Sequence, residues 1–444
     1  MIQFPQHDRP LALLNARLID PATGFDQHGG IFLQEGVIKA FGSSVTEDYP
    51  FPEDSEILSC DGDILMPGLI DMRAELREPG GEHLETLESA AYSAIAGGIT
   101  SVCCMPNTNP VIDDMSLVES ILRRAREIGL VRILPLGAAT KGLKGQHMAE
   151  IGLMSEVGAV AFTNGLEAIA DSLVAKRLMA YAHSFDLLLM QHPEDPALAS
   201  GGHVNESEYA TRLGLTGIPV EAEAILLERD IRLVRLTNVR YHAAHISTAE
   251  AVKIIAAAKQ EGLPVTCDTA PPYFALNEVH VGNYLTFAKM SPPLRSEQDR
   301  QAIVQGLKEG IIDAVASDHS PHDVESKRQP FAQADAGAVG LETLLPLLLE
   351  QVHNGSLDLL SALKTVTSGP AKILRLPQGH LSIGAPADVI TLDLHRAWKL
   401  EAHKLRSKCR NTPFDGKPLE GIVTRTIVAG KCVFDRANTK SEML

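Results

Sequence analysis

Apolar positions along this chain fall into two textures. At both ends they form short β-type runs broken by turn residues. In the middle they form continuous runs of five to seven residues that alternate with amphipathic stretches. The runs at 11–14, 31–34 and 37–41 are separated by Pro21, Gly24, Gly29, Gly30 and Gly36, and the spacing IFLQ-EG-VIKAF predicts a hairpin with Glu35 and Gly36 in its turn. From residue 64 the rhythm changes. ITSVCCM (99–105) is followed by a helical pattern over 116–129 and then VRILPLG (131–137). GAVAFTN (158–164) leads to a helix over 171–185 and DLLLMQH (186–192), and VRYHAAH (239–245) leads to a helix over 247–262 and PVTCDTA (264–270). GIIDAVASDHS (310–320) precedes a helix over 341–353.

Strand, helix, strand repeated this often predicts parallel βαβ units, and continuous apolar strands suit a sheet covered on both faces. The number of units favours an eight-stranded (β/α)8 TIM-like barrel over an open sheet. The β-type pattern returns at 387–394, 422–428 and 431–435. The expected organisation is a small β-sandwich domain built from 1–63 and 377–444, flanking a barrel over 64–376.

Composition narrows the function classes. The chain has 444 residues, 45% hydrophobic and 22% charged, an ordinary globular balance. Its net charge of −16 disfavours nucleic acid and anionic membrane as partners. Six cysteines without a C-x-x-C pair are expected to be buried, reduced thiols. With no secretory pattern at MIQFPQHDRP and no apolar run of membrane-spanning length, a soluble cytoplasmic protein is expected.

In a parallel barrel, chemistry sits at the C-terminal ends of the strands. Polar residues that end apolar runs are Arg73, Glu75 and Arg77, then Asn107, Asn164, His192, His245, Asp318, His319 and His322. Two histidines and an aspartate on separate strands are a ligand set for a zinc-type ion. Each taken singly has a plainer role, a hydrogen-bonded core histidine or an aspartate capping the next loop.

The segment MPGLIDMRAELREPGGEHLETLESAAYSAIAGGITSVCCMPNTNPVIDD is similar to the opening barrel segment of class I dihydroorotases. QHPED, HISTAEAV, MSPPLR, SDHSPH, VGLETLLPLLL and RNTPFDG match that family in order. The resemblance implies an amidohydrolase barrel with a β-sandwich domain, one or two zinc ions, and interconversion of carbamoyl aspartate and dihydroorotate. It makes Asp318 the proton-handling base and Arg77, Asn107 and His322 the substrate contacts.

The chain departs from the family pattern where the metal belongs. Arg73-Ala74-Glu75 replaces His-x-His, and a guanidinium has no acceptor for a cation. Asn164-Gly165 replaces a carboxylate-bearing segment, Ser291 an asparagine, and TAPPYF (269–274) a stretch containing histidine. An internal Arg73–Glu75 ion pair is expected to fill the vacated site, with a structural ion pair to Glu78 or a neighbour as the plain alternative for Arg77. Residual ligands would be Glu75, His192, His245 and Asp318. These departures resemble a degenerate, non-catalytic dihydroorotase-like group that accompanies aspartate carbamoyltransferase. The leading expectation is such a subunit, a homo-oligomer partnered with the transferase catalytic chain and needing no cofactor. The alternatives are an active zinc amidohydrolase with a rearranged site, and a protein that binds a pyrimidine intermediate through Arg77, Asn107 and His322.

Overall fold

The computed structural model describes residues 9–438. The expected hairpin is present: Phe25–Gln34 and Val37–Gly42 pair antiparallel. Its turn is Glu35 at φ 55° and Gly36 at φ 73°, the two left-handed residues that match the twist of flanking strands. Strands from the two terminal regions, within the described residues, meet in one eight-stranded sheet. Its order is Lys431–Asp435, Pro418–Val428, Val389–Lys399, Ile64–Pro67, Leu11–Asp20, Phe25–Gln34 and Val37–Gly42, with Glu56–Ser59 also paired to Leu11–Asp20. Leu13, Leu18, Ile31 and Ile38 from the first end share an apolar cluster with Val389 and Ile427 from the other. Ile64–Pro67 belongs to this sheet, so the terminal unit extends a few residues past the expected boundary at 63.

The middle of the chain closes into the barrel. Its strands are β1 (Leu69–Ala74), β2 (Ile99–Cys104), β3 (Arg132–Pro135, running on through Gly137–Ala138), β4 (Phe162–Thr163), β5 (Leu188–Gln191), β6 (Arg240–Ala243), β7 (Val265–Thr269) and β8 (Ala314–Val315). Each pairs parallel with the next, and Ala74 bridges His319 beyond β8 to close the ring. Several of the intervening helices start at a side-chain cap. Asp114 accepts from the backbone of Ser116 and Leu117 to open Met115–Ile128, and Gly129 in the left-handed region ends it. That helix buries Val118, Ile121, Leu122 and Ala125, the i, i+3, i+4, i+7 stripe of a core-facing helix. Asp171 and Thr248 cap Ser172–Ser184 and Ala249–Gln260 in the same way. All six cysteines are free, and five of them are buried. Among the described residues no helix is long and apolar enough to cross a membrane.

One buried ion pair bolts the barrel to the sheet. Arg132, at the start of β3, meets Asp388 through Nε–Oδ2 at 2.6 Å and Nη2–Oδ1 at 3.1 Å. Asp388 also accepts from Ala429 N at 2.7 Å. Removing one partner of such a pair leaves a buried charge uncompensated. Asp388→Ala is therefore expected to lower unfolding stability by about 3–5 kcal/mol in urea titration. A wild-type midpoint would show that the junction does not depend on this carboxylate.

Candidate functional site

The strand ends gather a dense set of charged groups, and the pairing differs from the expected one. Arg73 is 2% exposed at its side chain, and its Nε donates to Asp318 Oδ1 at 3.1 Å. Glu75 pairs with Arg77 instead, Oε2 to Nη1 at 2.6 Å. The expected Arg73–Glu75 pair does not form, and the plain alternative for Arg77, an ion pair with Glu78 or a neighbour, is met by Glu75. The backbone explains the exchange. β1 ends at Ala74, and Glu75 N donates to His319 O at 2.8 Å. Arg77 then takes φ 61°, a left-handed turn that accompanies its return toward Glu75. Asp71 fixes the base of the arrangement by accepting from Arg73 N at 3.2 Å and Ser317 N at 2.9 Å. Burial pushes Asp71 up to about 6.

His245 follows β6 and lies wholly buried, Nδ1 3.3 Å from Asp268 Oδ1 and Nε2 3.7 Å from Asp318 Oδ1. Its backbone N donates to Asp268 at 2.6 Å. Asp268, in β7, also meets His242 Nε2 at 3.1 Å. Burial alone would raise the Asp268 carboxyl, but the two histidines outweigh it and hold it well below the usual carboxylate range. His192, after β5, is buried with its ring 6.2 Å from that of His245 and its Nε2 3.8 Å from Glu194 Oε1. Arg295 lies 3.8 Å from Glu194 and 4.0 Å from Glu223, and donates to Asn205 Oδ1 and Ile218 O. Asn164, after β4, is tied on both sides of its amide. Oδ1 accepts from Thr140 at 2.5 Å, and Nδ2 donates to Leu143 O and Glu167 O at 3.0 and 3.1 Å.

Above these groups lies a cleft of about 410 Å3 lined by Glu75, Arg77, Glu194, Ser291, Asp318 and His322, among others. His322 Nε2 sits 3.5 Å from Arg77 Nη2, and burial followed by the Arg77 charge holds the imidazole below its ordinary range. Asn411 of the RNTPFDG motif clamps this loop by donating to Ser320 O and Gly337 O and accepting from His322 N. Asn107 lies beside Gly165, the residue after Asn164. Sequence reasoning did not single out Asp268, Glu194, Glu223 and Arg295. Two of these lay in view as the glutamate of QHPED and the arginine of MSPPLR, and Asp268 as the polar break in PVTCDTA.

These residues do not fit a zinc ion. The third donor that would join His192 and His245 is Asp318, and a permanently charged guanidinium already occupies it. Glu75 is held by Arg77. Among the described residues, three histidine, cysteine or carboxylate donors come within 4.8 Å of one another only at a place far from this mouth in the fold, where a barrel helix meets the terminal sheet.

His245 carries the electrostatic signature of the arrangement. Burial first, then the Arg73 charge, lowers its pKa against the pull of Asp318 and Asp268. Above about pH 6.5 the imidazole is neutral folded or unfolded. Below that, the unfolded chain takes a proton that folded His245 refuses, so this contribution to stability falls with pH until the lowered folded pKa is passed. Arg73→Met is expected to raise the His245 pKa and flatten that loss. Imidazole NMR titration reads the shift directly, and an unmoved His245 would mean that the guanidinium is not felt there.

Two family models match the chain, "Dihydro-orotase-like" over residues 62–251 and "Amidohydrolase family" over 307–434. The dihydroorotase of Anaplasma phagocytophilum (strain HZ) is 42% identical over 426 residues, covering 96% of this chain and 95% of that one. The dihydroorotase of Syntrophotalea carbinolica is 42% identical over 424 residues, covering 96% and 99%. Among solved structures, L-hydantoinase (dihydropyrimidinase) from Arthrobacter aurescens superposes with a TM-score of 0.85 at 26% identity, each chain covered to 96%. Dihydropyrimidinase from Brevibacillus agri, at 21% identity and a TM-score of 0.82 over 96% and 95%, shares the fold. With full-length relatives at this identity, the chain belongs to the dihydroorotase family of amidohydrolases.

Proposed function

We propose that this chain is a non-catalytic dihydroorotase homologue of pyrimidine biosynthesis that supports the assembly of aspartate carbamoyltransferase. The Arg73–Asp318 pair carries the reading. By the family resemblance, Asp318 should shuttle a proton beside a metal-bound water. Here it neutralises a buried guanidinium at 3.1 Å. An arginine cannot release its proton to make room for a cation, and a divalent ion brought beside it would meet direct repulsion. Arg77, the expected partner of a substrate carboxylate, is likewise committed to Glu75 at 2.6 Å. Both charges that would greet an anionic substrate are thus answered from within.

The companion role rests on a different consideration. The barrel is whole, capped and bolted to its second domain, and it aligns over nearly the full length of its dihydroorotase relatives. A fold kept intact around a self-neutralised site is free to serve as an assembly surface. With the reading go a cytoplasmic location and self-association. The active-enzyme alternative needs Glu75 as a ligand, which would require its release from Arg77.

The test pairs elemental analysis of chelator-free protein with a carbamoyl aspartate cyclisation assay, with and without added zinc. The expected outcome is no turnover in either condition, and co-purification with co-expressed transferase catalytic chain. Zinc-dependent turnover that disappears in Asp318→Ala would overturn the non-catalytic reading. Separate elution of the two chains would remove the transferase as partner.

A further inference from the structure

Far from the barrel mouth in the fold, three elements bring two imidazoles and a carboxylate together. His353 ends the barrel helix Leu344–His353, His395 lies in Val389–Lys399, and Glu420 lies in the adjacent Pro418–Val428. His395 Nδ1 is 3.2 Å from Glu420 Oε1, and His353 Nδ1 is 3.9 Å from the same oxygen. One ligand atom from each residue lies within 4.8 Å of the others. The strand pair is shaped for this. Its register slips between Asp393 and Ala397, and Asp393 Oδ1 holds the bulge by accepting from His395 N and Arg396 N at 3.2 and 3.1 Å. The helix packs against Pro418–Val428, which sets His353 beside the bulge.

We propose that His353, His395 and Glu420 form a binding site for a borderline divalent transition-metal cation, of which Zn2+ is the representative. Ligand atoms on a tetrahedral zinc stand about 3.3 Å apart, given zinc–ligand bonds near 2.0–2.1 Å. The His395–Glu420 edge already meets that spacing at 3.2 Å. The side chains of His395 and Glu420 are 78% and 43% exposed, so rotamer adjustments of the two can close the remaining edges. Two imidazoles select Zn2+, Ni2+ or Cu2+ over Mg2+ and Ca2+, which take oxygen ligands. Three protein ligands leave the fourth position to water. Because the ligands come from a barrel helix and from the terminal sheet, the ion acts as a staple between the two units. A ligand bound only by the folded state raises its stability.

The experiment uses full-length protein freed of any histidine tag. Zn2+ is titrated by calorimetry, Co2+ by visible absorption, and thermal unfolding is followed with Zn2+ or Mg2+ added. The expected result is one equivalent of Zn2+ bound, tetrahedral Co2+ bands, and a Tm raised by Zn2+ but not by Mg2+. His395→Ala and Glu420→Gln, both at accessible positions, should weaken Zn2+ at least about ten-fold, the least that losing even an outer partner of a metal site costs. The Tm response should vanish with them, whereas His192→Asn keeps both. Unchanged affinity in His395→Ala and Glu420→Gln overturns the site. Binding lost only in His192→Asn also overturns it, and counts separately against the non-catalytic reading of the barrel mouth.

Discussion

A guanidinium sealed inside a barrel needs a counter-charge, because moving an ion out of water costs several kcal/mol that only close pairing offsets. Arg73 imposes that demand at the end of β1, and Asp318 at the end of β8 meets it. The other charges of the mouth distribute themselves around this pair. With Asp318 committed to Arg73, Glu75 is left to Arg77. His245, its pKa lowered by burial and by Arg73, leans on Asp268, which His242 steadies from the other side. Glu194 and Glu223 face Arg295. Acidic and basic groups thus answer each other within the mouth, which supplies from side chains the positive charge that an ion would otherwise bring.

Much of this was legible from local signals. Periodicity placed those strands whose apolar run ends in a polar residue and those helices that start at a capping side chain, as at Asp114, Asp171 and Thr248. The Glu35-Gly36 turn was legible because two consecutive left-handed residues select such dipeptides. The departure from the family's ligand pattern was legible at Arg73 because a guanidinium can never donate a lone pair. Which carboxylate Arg73 would choose was not. Its partner lies 245 residues away, and the choice depends on barrel closure at Ala74 and His319. Spacing along one strand suggested Glu75, but the strand ends at Ala74, and the left-handed backbone at Arg77 accompanies a nearer partner for that carboxylate.

The buried residues that reasoning passed over share a cause. Asp268, Glu223 and Arg295 act through contacts made across strands and loops, so their neighbours in sequence do not show what they touch. Asn411 shows the same limit in a motif that was noticed. RNTPFDG was visible as a family signature, but its work, holding Ser320 and Gly337 so that His322 faces Arg77, becomes visible only when residues 91 and 74 positions apart are set side by side.

The departures from the metal-binding pattern are held in place by separate networks, and this makes the mouth hard to convert by a single change. A histidine at 73 would remove the counter-charge of Asp318 while leaving Glu75 bound to Arg77. A carboxylate at 164 would set negative oxygens against the carbonyls of Leu143 and Glu167, which now receive hydrogen bonds from the Asn164 amide. Each carbonyl stripped of its donor in a buried place costs about 1–3 kcal/mol. Asn164 is therefore more than a weakened ligand, because its two donors are what the surrounding loop is built on. The same holds for Arg73, whose backbone and side chain are gripped at both ends by Asp71 and Asp318. A single lost ligand is easily restored, but these fixed cations and amide donors support one another, and placing a metal ligand set here would require giving up several of those contacts together.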